Sequence, residues 1–424
     1  MSNWTALRLG DHATTYAGGT PDRSRPEFFG GVIPWVKSTE VNLGKIYHTE
    51  ETLSDLGLRC SAAKWIPEQT VLVALYGATA AQIGFLKIRA TANQAVLAIV
   101  PDTQLDSTFL FYALTAAKAK ILFQAQGSGQ PNLNKQIIDS LLLDTPPLPE
   151  QRKIARILTT LDNLIEKTEA LIAKYQAIKQ GMMHDLFTRG VDEHGHLRPP
   201  YEEAPELYKQ SELGWIPKEW ACVRCTEVCR EIVVGIVIQP AKYYQSEGVP
   251  VLRSANVRET GIVGTDLVFM SDESNRLLAK SMLRTGDVVT VRTGYPGTSC
   301  VVSPEYDGSN CVDIIISRPG PKVRSQFLAT WINSDSGKNQ VLRKQGGLAQ
   351  QHFNVGELKD LLLVLPSLDE QAVIESVLHT QKSEIQTGER HRDKLHLLKT
   401  GLMQDLFTGK VRMKVDEAEE VTRV

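Results

Sequence analysis

The stretch Leu141-Leu142-Leu143-Asp144-Thr145-Pro146-Pro147-Leu148-Pro149-Glu150-Gln151-Arg152-Lys153-Ile154 decides the architecture. It returns 220 residues later as Leu361-Leu362-Leu363-Val364-Leu365-Pro366-Ser367-Leu368-Asp369-Glu370-Gln371-Ala372-Val373-Ile374. The offset holds without a gap through Leu158 and Leu378. It holds again where Gly181-Met182-Met183-His184-Asp185-Leu186-Phe187-Thr188 faces Gly401-Leu402-Met403-Gln404-Asp405-Leu406-Phe407-Thr408. Equal spacing between a proline-marked start and a common exit predicts two helices of matched length. Each follows a longer and more diverged segment, which reads as a rigid spacer repeated with a similar module in front of it.

Pro146-Pro147-Leu148-Pro149 gives the first helix a stiff approach, because proline is excluded from helix interiors and restrains its neighbours. From Glu150 to Leu186 the helix spans about 55 Å at ~1.5 Å per residue. Ile157, Leu161, Leu164, Thr168, Leu171, Tyr175, Ile178 and Met182 alternate by four and three, the seam of a coiled coil. The same register in the second helix gives Val377, Gln381, Glu384, Gly388, His391, Leu395, Leu398 and Leu402, apolar only at its ends. The two helices are therefore expected to pair antiparallel, with the modules head to tail in local twofold pseudosymmetry. For either helix alone, packing of an amphipathic helix on a domain core is the alternative.

The modules are α/β or α+β in character. Val71–Tyr76 and Ala95–Val100 are short apolar runs split by Gly, Pro and Asn turns. Ile33-Pro34-Trp35-Val36-Lys37-Ser38 is echoed by Val249-Pro250-Val251-Leu252-Arg253-Ser254, and Asn93-Gln94-Ala95-Val96 by Asn310-Cys311-Val312-Asp313. These offsets are 216 and 217, so the modules gained insertions that the helices did not. Val191–Tyr201 and Ser211–Trp220 form an ordered linker with aromatic anchors. The tail after Lys410, with Glu417, Glu419 and Glu420, is expected to fray.

At 424 residues, with 42% hydrophobic and 23% charged, the chain is a globular protein of more than one core. It has no run of 18 apolar residues, and Met1-Ser2-Asn3-Trp4 does not begin a signal peptide, so a cytoplasmic, non-membrane protein is expected. Cys222, Cys225 and Cys229 are closely spaced but lack a fourth soft ligand, and the six cysteines read as free thiols rather than a metal site. Net charge is −2, from 47 basic and 49 acidic residues. Any DNA surface must therefore segregate its basic groups or share phosphate contacts with a partner.

The motifs of nucleotide loops, zinc hydrolases, nucleophile elbows and dinucleotide folds are missing. Arg198-Pro199-Pro200-Tyr201 has arginine where a base-amine methyltransferase needs Asp, Asn or Ser, and reads as linker. Pro21-Asp22 and Pro101-Asp102 lack the acidic-x-Lys partner of a magnesium nuclease, and Glu357-Leu358-Lys359 stands alone in a helix. What recurs is polar loops. Tyr76, Thr79 and Gln82 follow one predicted strand; Arg292, Thr293, Tyr295 and Thr298 follow another. Gln130 and Asn132, and Gln350, Gln351 and His352, precede the two helices. Gln and Asn suit bidentate reading of adenine and Arg suits guanine, while a plain structural turn is the competing reading of any single loop.

Leu148-Pro149-Glu150-Gln151-Arg152-Lys153-Ile154, Gly181 to Thr188 and Glu212-Leu213-Gly214-Trp215-Ile216-Pro217-Lys218-Glu219-Trp220, in this order, resemble the DNA-specificity subunit of Type I restriction-modification systems over essentially the whole chain. The resemblance implies target recognition domains at 1–145 and 201–365, a central conserved helical region with linker at 146–200, and a C-terminal helical region with tail at 366–424. It implies a non-catalytic subunit that binds double-stranded DNA. Two methyltransferase subunits and motor-nuclease subunits would be its partners, and S-adenosylmethionine, ATP and magnesium would reside in those partners. Each domain would read half of a split site, with the helices setting the gap.

Gly18-Gly19-Thr20-Pro21 and Ile33 to Thr39 match the opening of such a domain. The second module has Val234-Gly235-Ile236 instead, and is expected to contact DNA differently there. Lys37, Thr39 and Arg253 in the matched segments, with Asn256 just beyond, complete the candidate DNA contacts. Ile157, Leu161, Leu164, Leu171, Tyr175, Ile178, Val377, Leu395, Leu398 and Leu402 are the candidate spacer seam. The alternative function is a coiled-coil adaptor presenting two protein-binding modules, and a self-contained methyltransferase or nuclease ranks third.

Overall fold

Short apolar runs between turn residues fold as strands, and the two proline-marked segments fold as long helices, α1 (Leu148–Thr188) and α2 (Leu368–Phe407). The computed structural model describes residues 4–125, 132–344 and 352–413. The chain divides into two units, Met1–Ala170 with Arg390–Val424, and Leu171–Glu389. Each unit thus combines one module with part of both long helices.

In the first unit, Val71–Ala74 is buried at every position because both of its faces are covered, Val71 and Val73 packing into one core and Leu72 and Ala74 into another. It lies in a five-stranded sheet of order Ala13–Ala17, Val96–Pro101, Val71–Ala74, Ile83–Leu86, Lys45–Ile46. A three-stranded sheet joins Glu51–Leu53, Phe29–Val36 and Thr91–Ala92. The helix Ser107–Ala116 closes the core with Phe109, Leu110, Tyr112 and Leu114, and the Asp106 carboxylate caps it by accepting from the Thr108 and Phe109 amides. Thr5–Arg8 pairs antiparallel with Leu142–Thr145, the strand that runs into α1.

The second unit repeats this plan. Its four-stranded sheet has the order Cys229–Val234, Ile314–Pro319, Val288–Val291, Ser299–Val301. Val268–Met270, Val249–Leu252 and Asn310–Cys311 form a three-stranded sheet, and Ala221–Arg224 pairs with Leu362–Leu365, the strand that runs into α2. The linker hairpin Tyr208–Ser211 with Gly214–Pro217 is ordered, with Tyr201 stacked on Trp215 at 4.2 Å between ring centroids.

The helices pair antiparallel inside each unit. In the first, Leu161 and Ile165 meet Leu395 and Leu402, Ile154 and Leu158 share a core with Leu406, and Lys399 Nζ lies 2.6 Å from Asp162. In the second, Ile172 sits where a Cβ on Gly388 would press, and Leu186 and Phe187 cluster with Ile374 and Leu378.

The seam differs from the sequence expectation at alternate positions. The buried line of α1 runs through Ile154, Leu158, Leu161, Ile165, Thr168 and Ile172, whereas Leu164, Leu171 and Ile178 are 43%, 45% and 37% exposed and Ile157 is half-buried. Tyr175 continues the line, half-buried. In α2 the line passes through Ile374, Leu378, Ile385, Leu395, Leu402 and Leu406; Leu398 is half-exposed, and Val377 packs beside Ile374 and Leu378. Adjacent apolar pairs, Leu164-Ile165 and Leu171-Ile172, leave two registers equally apolar. Partner geometry chooses between them, and Lys399 takes a seam place because Asp162 receives its charge.

The first residues of the tail, through Met413, are held in place. Arg412 Nε and the Met413 amide donate to Glu150 Oε1 at 3.1 and 3.2 Å, so the chain stays docked past Lys410. Glu417, Glu419 and Glu420 lie outside the described residues. All six cysteines are free thiols, with Cys225 and Cys229 sulfurs 3.9 Å apart. Among the described residues, no helix is long and apolar enough to cross a membrane.

Candidate nucleic-acid interface

The repeated Glu-Gln pair at the start of each long helix anchors the module that precedes it. Gln151 donates to the Gln104 and Pro146 carbonyls at 3.0 and 2.9 Å and accepts from the Asp106 amide at 2.9 Å. Gln371 repeats this on Lys322, Pro366 and Arg324 at 3.1, 3.0 and 2.9 Å. Glu370 accepts from the Val191 amide at 2.8 Å, Trp220 Nε1 at 2.9 Å and Arg198 Nη1 at 2.5 Å. The Pro-Pro-Tyr segment is thereby clamped as linker. Glu150 plays the same part for Trp4, Arg412 and Met413.

With each module fixed to its helix, the two kinds of polar loop come together. In the first module Tyr76 bridges to Asn132, and the Leu133 amide donates to the Leu75 carbonyl at 2.8 Å. In the second, Thr293 bridges to His352, and the Phe353 amide donates to the Arg292 carbonyl at 2.9 Å. Strand-end loop and pre-helix segment are thus side by side in both modules. The tight turns require Gly77 at φ +70° and Gly294 at φ +89°, left-handed backbone that glycine adopts without strain.

Side-chain availability separates the candidates. Tyr76 is 45% exposed, Tyr295 is 79% exposed, and Thr39, Asn132 and His352 are exposed. Thr79 is half-buried and turns its hydroxyl onto the Tyr76 carbonyl at 3.2 Å. Gln82 accepts from Lys118 Nζ at 2.6 Å. Lys37 pairs with Glu50 at 2.6 Å and Glu51 at 3.2 Å; hydrogen bonds to these two carboxylates, Glu50 first, raise its pKa.

Asn256 is withdrawn from any outside ligand. It is 2% exposed, its amide donates to the Val263 and Thr265 carbonyls, and its oxygen accepts from the Arg253 amide. Arg253 donates to the Asp266 carbonyl at 2.5 Å. Gln130, Gln350 and Gln351 lie outside the described residues. Gly18, Gly19 and Gly235 serve packing, since a Cβ on each would collide with the backbone of Ala92, Ala62 and Cys311 respectively.

Thr293, Tyr295 and Thr298 line a cleft of about 580 Å³ together with Ser254 and Arg258. Sequence reasoning missed Arg258, and it missed Asp313 and Asn354, which bind Arg292 at 2.8 and 3.1 Å. Asp313 lies in the segment quoted for its match to the first module, yet only the fold shows that it faces Arg292. Burial lowers the pKa of Lys87 in the first module, with Lys45 nearby as the second cause. Among the described residues no group of three or more His, Cys, Asp or Glu side chains could hold a metal ion. The arrangement offers a polar, partly aromatic recognition surface.

The Type I restriction modification DNA specificity domain matches residues 1–176. The MjaVIII specificity subunit of a Type I restriction enzyme from Methanocaldococcus jannaschii is 26% identical, covering 97% of this chain and 94% of that protein. Among solved structures, the Type-I restriction-modification S subunit from M. genitalium shares the fold with a TM-score of 0.58 at 14% identity over 97% of both chains. A chain from a structure of type I R-M complex assembly and conformational transition gives a TM-score of 0.55 at 16% identity, over 95% of this chain and 97% of that one. A recognised DNA specificity domain over residues 1–176, a relative similar along both modules and a shared fold make this chain similar to the specificity subunits of Type I restriction-modification systems.

Proposed function

We propose that the chain is the non-catalytic, sequence-reading subunit of a cytoplasmic Type I restriction-modification complex. Residues 1–145 and 201–365 each read one half of a split DNA sequence, while α1 and α2 fix the gap between the halves. The observation that carries this reading is the paired loop built in both modules, Tyr76 with Asn132 and Thr293 with His352. A structural turn has no need to recur with exposed polar side chains such as Asn132 and His352 at matching places, whereas two independent readers do. Methyltransferase subunits, two per chain, would bring S-adenosylmethionine, and motor-nuclease subunits would bring ATP and magnesium chemistry. A net charge of −2 suits a chain whose partners share the phosphate contacts.

The test replaces residues 1–145 with the corresponding module of another family member and sequences the methylated sites. One half of the motif should change and the other stay. A change in both halves counts against independent modules, and methyl transfer by the pure chain counts against the non-catalytic assignment.

A further inference from the structure

We infer that Arg292 is a positioning residue and that Arg258 supplies the base-reading guanidinium of the second module. The inference rests on the DNA-reading function proposed above. Reading guanine in the major groove takes two donors of one guanidinium fork, aimed outward together. Both arms of the Arg292 fork are used within the protein. Nη1 donates to Asp313 Oδ1 at 2.8 Å and Nη2 to Asn354 Oδ1 at 3.1 Å. Its Nε is buried, without a partner among the described residues, and the side chain is 24% exposed.

The second Asp313 oxygen accepts the Thr293 hydroxyl at 2.6 Å, so one carboxylate holds two consecutive loop residues. Asp313 itself adopts left-handed backbone at φ +54°, which aspartate tolerates better than most residues. Arg292 and Asp313 therefore fasten together the strand-end loop, the segment before Ile314–Pro319 and the segment that enters α2. The corresponding contact in the first module involves Leu75 and Ala95, joined through backbone alone at 2.8 Å.

Arg258 is placed differently. It ends the two-residue strand Val257–Arg258, is exposed, and lines the cleft that holds Ser254, Thr293, Tyr295 and Thr298. Among the described residues its guanidinium donates only to the adjoining Val257 carbonyl, at 3.1 Å. A base edge can replace that local contact at little cost, and the planar fork then points from the same wall as Tyr295.

Charge makes the two arginines separable by experiment. Removing Arg292 leaves the Asp313 carboxylate uncompensated on a surface that meets phosphates, so Arg292→Ala harms binding whether or not Arg292 touches DNA. Removing Asp313 as well takes that repulsion away. The full chain, assembled with its methyltransferase subunits, is compared as parent, Arg258→Ala, Arg258→Lys, Arg292→Ala and Arg292→Ala with Asp313→Ala. Affinity is read on DNAs varied base by base, and the methylated motif is sequenced.

Arg258→Ala should lower affinity roughly 5- to 150-fold and relax one base in one half of the motif. Arg258→Lys, which keeps the charge without the fork, should relax the same base. The double variant should bind more tightly than Arg292→Ala alone. A double variant no better than Arg292→Ala overturns the positioning role, and uniform weakening or no change with Arg258→Ala overturns the reading role. If the motif ignores replacement of the whole second module, the DNA-reading function itself fails. If it follows the module but not Arg258, only the present assignment does.

Discussion

Single residues show how a repeated pair of letters becomes two different devices. Glu370 and Gln371 adjoin, yet Gln371 secures the module and Glu370 the linker, each through partners distant in sequence. Glu370 and Arg198 are 10% and 11% exposed, so their contact is made largely out of water. Truncating one partner of such a pair strands the other charge at a cost of about 3–5 kcal/mol. Glu370→Ala should therefore destabilise the chain by that order in urea unfolding, and the Trp220 fluorescence should change with it. Glu150→Ala should cost less, because Arg412 is 38% exposed and can be solvated. The Glu-Gln repeat was legible in the sequence at once. Its roles were not, since the Trp220 and Arg198 partners lie 150 and 172 residues away and only folding brings them near. Arg292 is a parallel case: its residue type suits a base reader, and the Asp313 contact on which the positioning role is proposed lies 21 residues away in sequence.

At the scale of elements, heptad spacing revealed two helices of 41 and 40 residues but not which side of each faces its partner. A 4-3 alternation fits Leu164 and Leu171 as well as Ile165 and Ile172, because each leucine adjoins an isoleucine. Packing resolves the tie, burying Ile165 and Ile172 to 6% and 5% exposure and leaving the leucines outside. Substitutions on the two lines should part company. Ile165→Ala or Ile172→Ala should cost about 2–5 kcal/mol, the price of a buried isoleucine. Leu164→Gln or Leu171→Gln should stay within about 0.5 kcal/mol of the parent in the same unfolding experiment. Equal losses on both lines would restore the register first expected from the sequence. The strands were read more securely: Val71–Ala74 and Val96–Pro101 fall where the apolar runs placed them, since a strand covered on both faces has no competing face.

For the whole molecule, the 220-residue offset is the dominant fact, and the structure gives it physical content. The buried positions Ile154, Leu158, Ile165, Leu186 in α1 and Ile374, Leu378, Ile385, Leu406 in α2 are related by that one number. Because the helices run antiparallel, positions related by 220 lie opposite each other only near the middle, close to where Ile172 meets Gly388, and an insertion in both helices there lengthens them together without changing which residues meet. Adding one heptad at matched positions in α1 and α2 preserves the 4-3 alternation and extends the pair by ~10 Å. If the helices hold two reading modules apart, the spacer between the half-sequences should then grow by roughly three base pairs, at ~3.4 Å each. Four added residues give ~6 Å, hence one or two base pairs, with ~40° of extra rotation to absorb. Both half-sequences should remain as they were, because the paired loops near Tyr76 and Thr293 are untouched. The same heptad placed in one helix only displaces Leu161 and Ile165 from Leu395 and Leu402, and should reduce assembly. The measurement is the methylated motif of each variant expressed with its methyltransferase partner. An unaltered spacer in an active, fully assembled double-heptad variant would show that something other than helix length sets the distance.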